Sequence, residues 1–131
     1  MEDLFVPYEL ALELKKLGFD EPCLAYWDNE KVFELNPEYL RSSQMDSTWV
    51  TAPLYQQVFR WFREKYILQC NIVWNKFYSN TPYQWEVRKQ WIDELMIPYG
   101  YGGMTTTYEE TELACLKKLI EIVKENGKTI E

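Results

Sequence analysis

Residues 51–74, TAPLYQQVFRWFREKYILQCNIVW, decide the fold class, because the apolar period changes part-way through them. In the first half Leu54, Tyr55, Val58, Phe62 and Tyr66 recur at helical spacing and make one wide stripe. Phe59 and Trp61 flank that stripe, and Gln56, Arg60, Arg63 and Glu64 fall mostly opposite it. In the second half Leu68, Cys70, Ile72 and Trp74 alternate with Gln69, Asn71 and Asn75, the two-residue period of a strand. Thr51 before Ala52-Pro53 is expected to open the helix, since a first-turn proline forfeits no hydrogen bond.

Working outward, the N-terminal side repeats this mixture. Leu10, Ala11, Leu14 and Leu17 predict a helix over 7–17, opened by Pro7 and stopped by Gly18. With Gly18 as the left-handed residue, Phe19 and Leu14 become the apolar pair of a Schellman ending. Two short apolar runs, 23–27 and 31–35, flank Asp28-Asn29-Glu30 and predict a hairpin, because Asp and Asn tolerate the positive φ of tight turns. Asn36-Pro37 then offers a cap and first-turn proline for a brief helical turn through Leu40, and the serine-rich stretch 41–48 reads as loop.

On the C-terminal side, Tyr83, Trp85 and Val87 alternate with Gln84, Glu86 and Arg88 and predict a strand, with 79–82 as its connection. Thr107-Tyr108-Glu109-Glu110 fits a capping box for a closing helix. Its buried stripe would be Leu113, Leu116, Leu119, Ile120 and Val123, and Asn126-Gly127 would end it. The order is α-β-β-α-β-β-α. We therefore expect one α+β domain over residues 1–131, with a small antiparallel sheet of about four strands and helices packed on one face. At a constant shift of 47 residues Tyr8, Cys23 and Trp27 fall on Tyr55, Cys70 and Trp74, which raises an α-β-β duplication as one origin for that order.

Composition closes off several chemistries. The 131 residues include no histidine, so neither Ser-His-Asp nor Cys-His catalysis has an imidazole to take the nucleophile's proton, and His-containing zinc sites are excluded. Cys23, Cys70 and Cys115 are odd in number, lack C-x-x-C spacing and lie in apolar stretches. They read as three reduced core thiols of a cytoplasmic protein, and no metal site is expected. The net charge of −7 opposes wrapping of a polyanion, so no nucleic-acid partner is expected. No apolar run approaches a membrane span, and no membrane partner is expected. The carboxylate pairs Asp20/Glu21, Asp28/Glu30 and Asp93/Glu94 are sequence neighbours and read as turn or solubility charges. We assign no catalytic residue, no cofactor and no enzymatic activity.

Two features remain. Tyr99-Gly100-Tyr101-Gly102-Gly103 runs toward a helix N-terminus, where free amides bind anions. Gly100, Gly102 and Gly103 are thus candidates for a small-ligand or nucleotide loop over 99–106, although Glu109, Glu110 and Glu112 crowd that end with like charge. The second feature is aromatic excess: 17% of residues, with six Trp and ten Tyr. Tyr39, Trp49, Tyr78, Trp91, Tyr99 and Tyr101 lie outside every periodic stripe. They either cover sheet edges and loops or form a partner-binding patch, for which Trp49, Trp91, Tyr99 and Tyr101 are the candidates.

Residues 52–122 resemble small uncharacterised proteins carried by bacterial phages and mobile elements. The resemblance rests on a Y-Q-Q-V-x-x-W-F-R-E-K helix, here Tyr55 to Lys65, ahead of a hairpin and a Y-E-E-type closing helix from Tyr108, with Thr111 where that family has alanine. It implies an intracellular protein of a mobile element and brings no activity or functional residues. The expected function is that of a non-enzymatic accessory protein that binds another protein, or its own copies, through exposed aromatics.

Overall fold

The computed structural model describes residues 2–74, 83–90, 96–101 and 107–129. The protein is α+β, with three α-helices and only antiparallel strand pairs among the described residues. Its elements run α1 (Tyr8–Lys16), β1 (Ala25–Trp27), β2 (Phe33–Leu35), β3 (Val50–Ala52), α2 (Tyr55–Tyr66), β4 (Leu68–Trp74), β5 (Tyr83–Gln90), β6 (Met96–Tyr101) and α3 (Tyr108–Thr129), with short 3-10 turns at Glu2–Leu4 and Ser42–Gln44. The strands expected as one sheet of about four form two sheets of three, ordered β2-β1-β3 and β4-β5-β6. The chain divides into two compact units, Met1–Val58 and Phe59–Glu131, and the division falls inside α2.

In the first unit α1 lies against β3. It ends as its sequence requires: Gly18 takes φ 99°, the Phe19 amide donates to the Leu14 carbonyl at 2.9 Å, and the Gly18 amide donates to that of Lys15 at 3.1 Å. Strand β1 is central, pairing Ala25, Tyr26 and Trp27 with Leu35, Glu34 and Phe33 on one side and with Ala52, Thr51 and Val50 on the other. Side chains alternate across a strand, so Ala25, Trp27, Val50 and Ala52 share one face, and all four are buried. The Trp27 indole donates to the Val6 carbonyl at 3.0 Å, satisfying its one polar atom inside that core.

Three local expectations are corrected here. Positive φ in the hairpin falls at Lys31 (63°) and not at Asp28 or Asn29, because the Asp28 carboxylate accepts the amides of Glu30 and Val32 and closes a wider loop. Asn36-Pro37 makes a turn without a helix: Tyr39 donates to the Asn36 carbonyl and then enters the left-handed region at φ 52°. Thr51 does not cap α2. It sits in β3, buried, with its hydroxyl 3.1 Å from that of Ser42, and α2 begins four residues later at Tyr55.

The second unit is a meander. β4 and β5 pair in continuous register from Leu68↔Lys89 to Trp74↔Tyr83. Between β5 and β6 the register shifts beside Val87: Val87 faces Gly100 but Arg88 faces Pro98, which leaves Tyr99 as the extra residue of a bulge. Helix α3 lies against β5 and β4. Thr107 caps it, its hydroxyl accepting the Glu110 amide at 3.1 Å and donating to the Glu110 carboxylate at 3.0 Å, and the helix continues past Asn126-Gly127 to Thr129. The buried Thr111 hydroxyl donates back to the Thr107 carbonyl at 2.9 Å, which lets threonine stand in the apolar stripe.

Helices α1 and α2 start at tyrosines 47 residues apart, and each is followed by an antiparallel strand pair, β1-β2 and β4-β5. The third strand joins differently: β3 pairs with the first strand of its sheet and β6 with the second. The cysteines differ as well. Cys70 and Cys115, expected as free thiols, form a disulfide joining β4 to α3, and their Cα atoms lie 6.6 Å apart, within the usual reach of that bond. Cys23 remains a buried free thiol.

Candidate functional site

The second face of the β2-β1-β3 sheet carries Tyr26, Glu34 and Thr51 by alternation. The connection from β2 to β3 crosses this face, and its polar side chains pin it there. Asn36 is buried and fully used: its amide donates to the carbonyls of Cys23 (3.0 Å) and Leu40 (2.9 Å), and its oxygen accepts the Leu40 amide (3.2 Å). Ser42 accepts the Thr51 amide at 3.0 Å, and Ser43 donates to Asp20 through both its amide and its hydroxyl. Those two bonds from Ser43 hold the Asp20 carboxyl below its ordinary range.

Between this strap and the sheet lies a hollow of about 460 Å³, a size that admits a small molecule or a few residues of peptide. Tyr26, Leu35, Asn36, Pro37, Glu38, Leu40, Gln44, Met45, Asp46 and Trp49 line it. Its wall is an aromatic pair: the rings of Tyr26 and Trp49 stack with centroids 5.0 Å apart and planes inclined by 18°. Both rings are half-buried, so one covers the other while the pair keeps a surface open to the hollow. Lys15 fixes the wall from behind, its ammonium donating to the carbonyls of Ser47 and Trp49 at 3.0 Å each.

The rim is acidic. Glu38 and Asp46 are exposed, and no lysine or arginine lines the hollow. Asp46 accepts both the amide (2.9 Å) and the hydroxyl (2.6 Å) of Thr48, and these bonds, the hydroxyl's first, lower its pKa and keep it ionised. The hollow can therefore offer an aromatic face, an aliphatic floor and negative charge. Cys23 lies outside the lining, and burial pushes its thiol up to about 12.

Of the expected partner-binding residues, Trp49 alone is placed at this hollow. Trp91 lies outside the described residues, as does Tyr78. Tyr99 and Tyr101 fall in β6, so 99–101 is strand and not loop. Gly100 pairs with Val87 in the ladder next to the bulge, an edge position where proline and glycine are tolerated, and its backbone does not belong to a phosphate-cradling loop. Gly102 and Gly103 lie outside the described residues. Tyr39 is exposed, in keeping with its place outside any apolar stripe.

Tyr26 was hidden from sequence reasoning because it sits inside an apolar run. Its signal is parity: in a strand whose Ala25 and Trp27 face the core, Tyr26 must face the other way. Comparison with known protein families, curated proteins and solved structures finds no match. Among the described residues no helix is long and apolar enough to cross a membrane.

Proposed function

We propose that this is a non-enzymatic interaction protein that binds a partner protein through the aromatic wall of the hollow, with Trp49 and Tyr26 as its anchors. The observation that carries this is the stacked pair itself. A strap held by Asn36, Ser42 and Ser43 crosses the sheet but leaves two large half-buried rings facing a cavity of binding size. Rigid aromatic surface with a polar rim is the usual anchor of protein recognition, since Tyr and Trp give large contact area at small entropic cost. The absence of histidine from the sequence weighs in the same direction, against catalysis that depends on an imidazole. A small accessory protein of a mobile element, the origin its resemblance implies, would work by such contact. A cytoplasmic location belongs to the proposal, and the Cys70–Cys115 bond stands against it, because reducing compartments keep such pairs open.

The test is selection from a random displayed-peptide library against the wild-type protein and against Trp49→Ala. Sequences enriched on the wild type and lost on the variant are expected. Absence of any enrichment that depends on Trp49 overturns the proposal. If light scattering instead shows a dimer that Trp49→Ala dissociates, the partner is a second copy of the chain.

A further inference from the structure

We infer that the partner of this site is an extended, basic peptide segment that adds to the free edge of β2 and sends a lysine or arginine side chain into the hollow. The inference rests on the proposed function and names its ligand. It starts from the register. Asn36 donates to the Leu24 carbonyl and Asp28 to that of Val32, so in an antiparallel pair the Tyr26↔Glu34 pair between them is also hydrogen-bonded. Phe33 and Leu35 are then the alternate residues, and their amides and carbonyls point away from β1. No strand pairs with that edge among the described residues. An exposed edge of this kind is a template for strand addition, in which main-chain bonds supply affinity and alternate side chains supply specificity.

The side chains along the edge state what would fit. Leu35 is 57% exposed and Phe33 is half-buried on one face, while Glu34 is exposed on the other. Cross-strand neighbours interact directly, so an added strand would place apolar residues opposite Phe33 and Leu35 and a basic residue opposite Glu34. That basic side chain projects on the face that carries Tyr26. There it meets the stacked rings, a surface suited to a cation, together with Glu38 and the ionised Asp46. Lys15 donates its ammonium to the carbonyls of Ser47 and Trp49, and its charge also acts on Asp46, so Glu34 and Glu38 are the carboxylates left to the incoming cation. Leu35 lies on both the edge and the lining, so one short segment can engage both.

The experiment measures binding of short synthetic peptides to the full chain by calorimetry. One peptide alternates valine and arginine, a second alternates valine and glutamate, and a third is the first with backbone amides methylated at alternate residues on its pairing side. The valine–arginine peptide is expected to bind, to weaken at least about tenfold against Glu34→Lys and against Trp49→Ala, and to weaken as salt is raised. The methylated peptide is expected not to bind. Leu35→Pro removes the outward amide at an edge position that tolerates proline, and should also abolish binding with the fold intact by circular dichroism. Equal binding of the basic and acidic peptides, both lost in Trp49→Ala, overturns the basic ligand and leaves the interaction site standing. Full binding of the methylated peptide overturns strand addition. If the displayed library yields Trp49-dependent sequences while the valine–arginine peptide does not bind, this inference fails and the proposed function survives. If the peptides bind but none depends on Trp49, this inference fails, and the proposed function fails with it when the displayed library also yields no Trp49-dependent sequence.

Discussion

The two three-stranded sheets solve the same problem by different means. Sheet β4-β5-β6 has strands of six to eight residues, and a disulfide ties its first strand to α3. Sheet β2-β1-β3 has strands of three residues each, too short to hold by ladder bonds alone. It is held by side chains that reach across to backbone: Asn36 to Cys23 and Leu40, Ser42 to Thr51, Asp20 to Ser43, and Trp27 to Val6. The difference teaches where a binding surface can form. A sheet fixed by a polar strap keeps a space between strap and strands, and the rings of Tyr26 and Trp49 stand at that space.

The contrast can be broken most strongly at the disulfide. It closes a separation of 45 residues, and opening it by Cys115→Ser should cost the second unit about 2–4 kcal/mol through the freedom returned to the unfolded chain. Hydrogen exchange read by mass spectrometry should show β4 and β5 losing protection while β1 keeps its own. Equal loss in both units would mean that they do not differ in the way described. The next effect belongs to the first unit. Asn36→Ala leaves the Cys23 and Leu40 carbonyls without their donors and should cost about 1–3 kcal/mol in chemical denaturation. It should also weaken any Trp49-dependent ligand, whereas Cys115→Ser should not.

The smallest effect is with pH, and both units share it. Asp20 and Asp46 in the first unit and Glu86 in the second have pKa values lowered in the folded protein, chiefly by hydrogen bonds from Ser43, Thr48 and Arg88 in turn. A depressed folded pKa gives stability that is complete above the unfolded value and lost as pH falls through the folded one. Thermal midpoints should therefore be level near neutrality and decline below the ordinary values of 3.8 for Asp and 4.5 for Glu. Asp20→Asn should flatten part of that decline. An unchanged acid profile would show that the Ser43 bonds do not persist in solution.

The sequence made some of this legible. The Schellman ending at Gly18, the helix cap at Thr107 and the alternation of β4 and β5 are local patterns, and local hydrogen bonds realise each one. Strand β3 escaped notice because three residues cannot display a period, and because Thr51 beside Pro53 resembles a helix cap until Ser42 claims its hydroxyl. Strand β6 escaped because Pro98 and Gly100 read as loop, although a bulge on an edge strand accommodates both. The disulfide left no mark in cysteine spacing, since its partners come from distant elements. At the site Trp49 could be found as an aromatic outside any stripe. Its companion Tyr26 could not, because its exposure follows from strand parity and from where the strap passes.

Lys15 carries one last implication. It belongs to α1, yet its ammonium donates to the main chain of Ser47 and Trp49, which links the seating of the helix to the backbone that carries the indole. Whatever settles against that indole is thus coupled to the seating of the helix, and by reciprocity the factor by which a guest favours the seated helix is the factor by which the seated helix favours the guest.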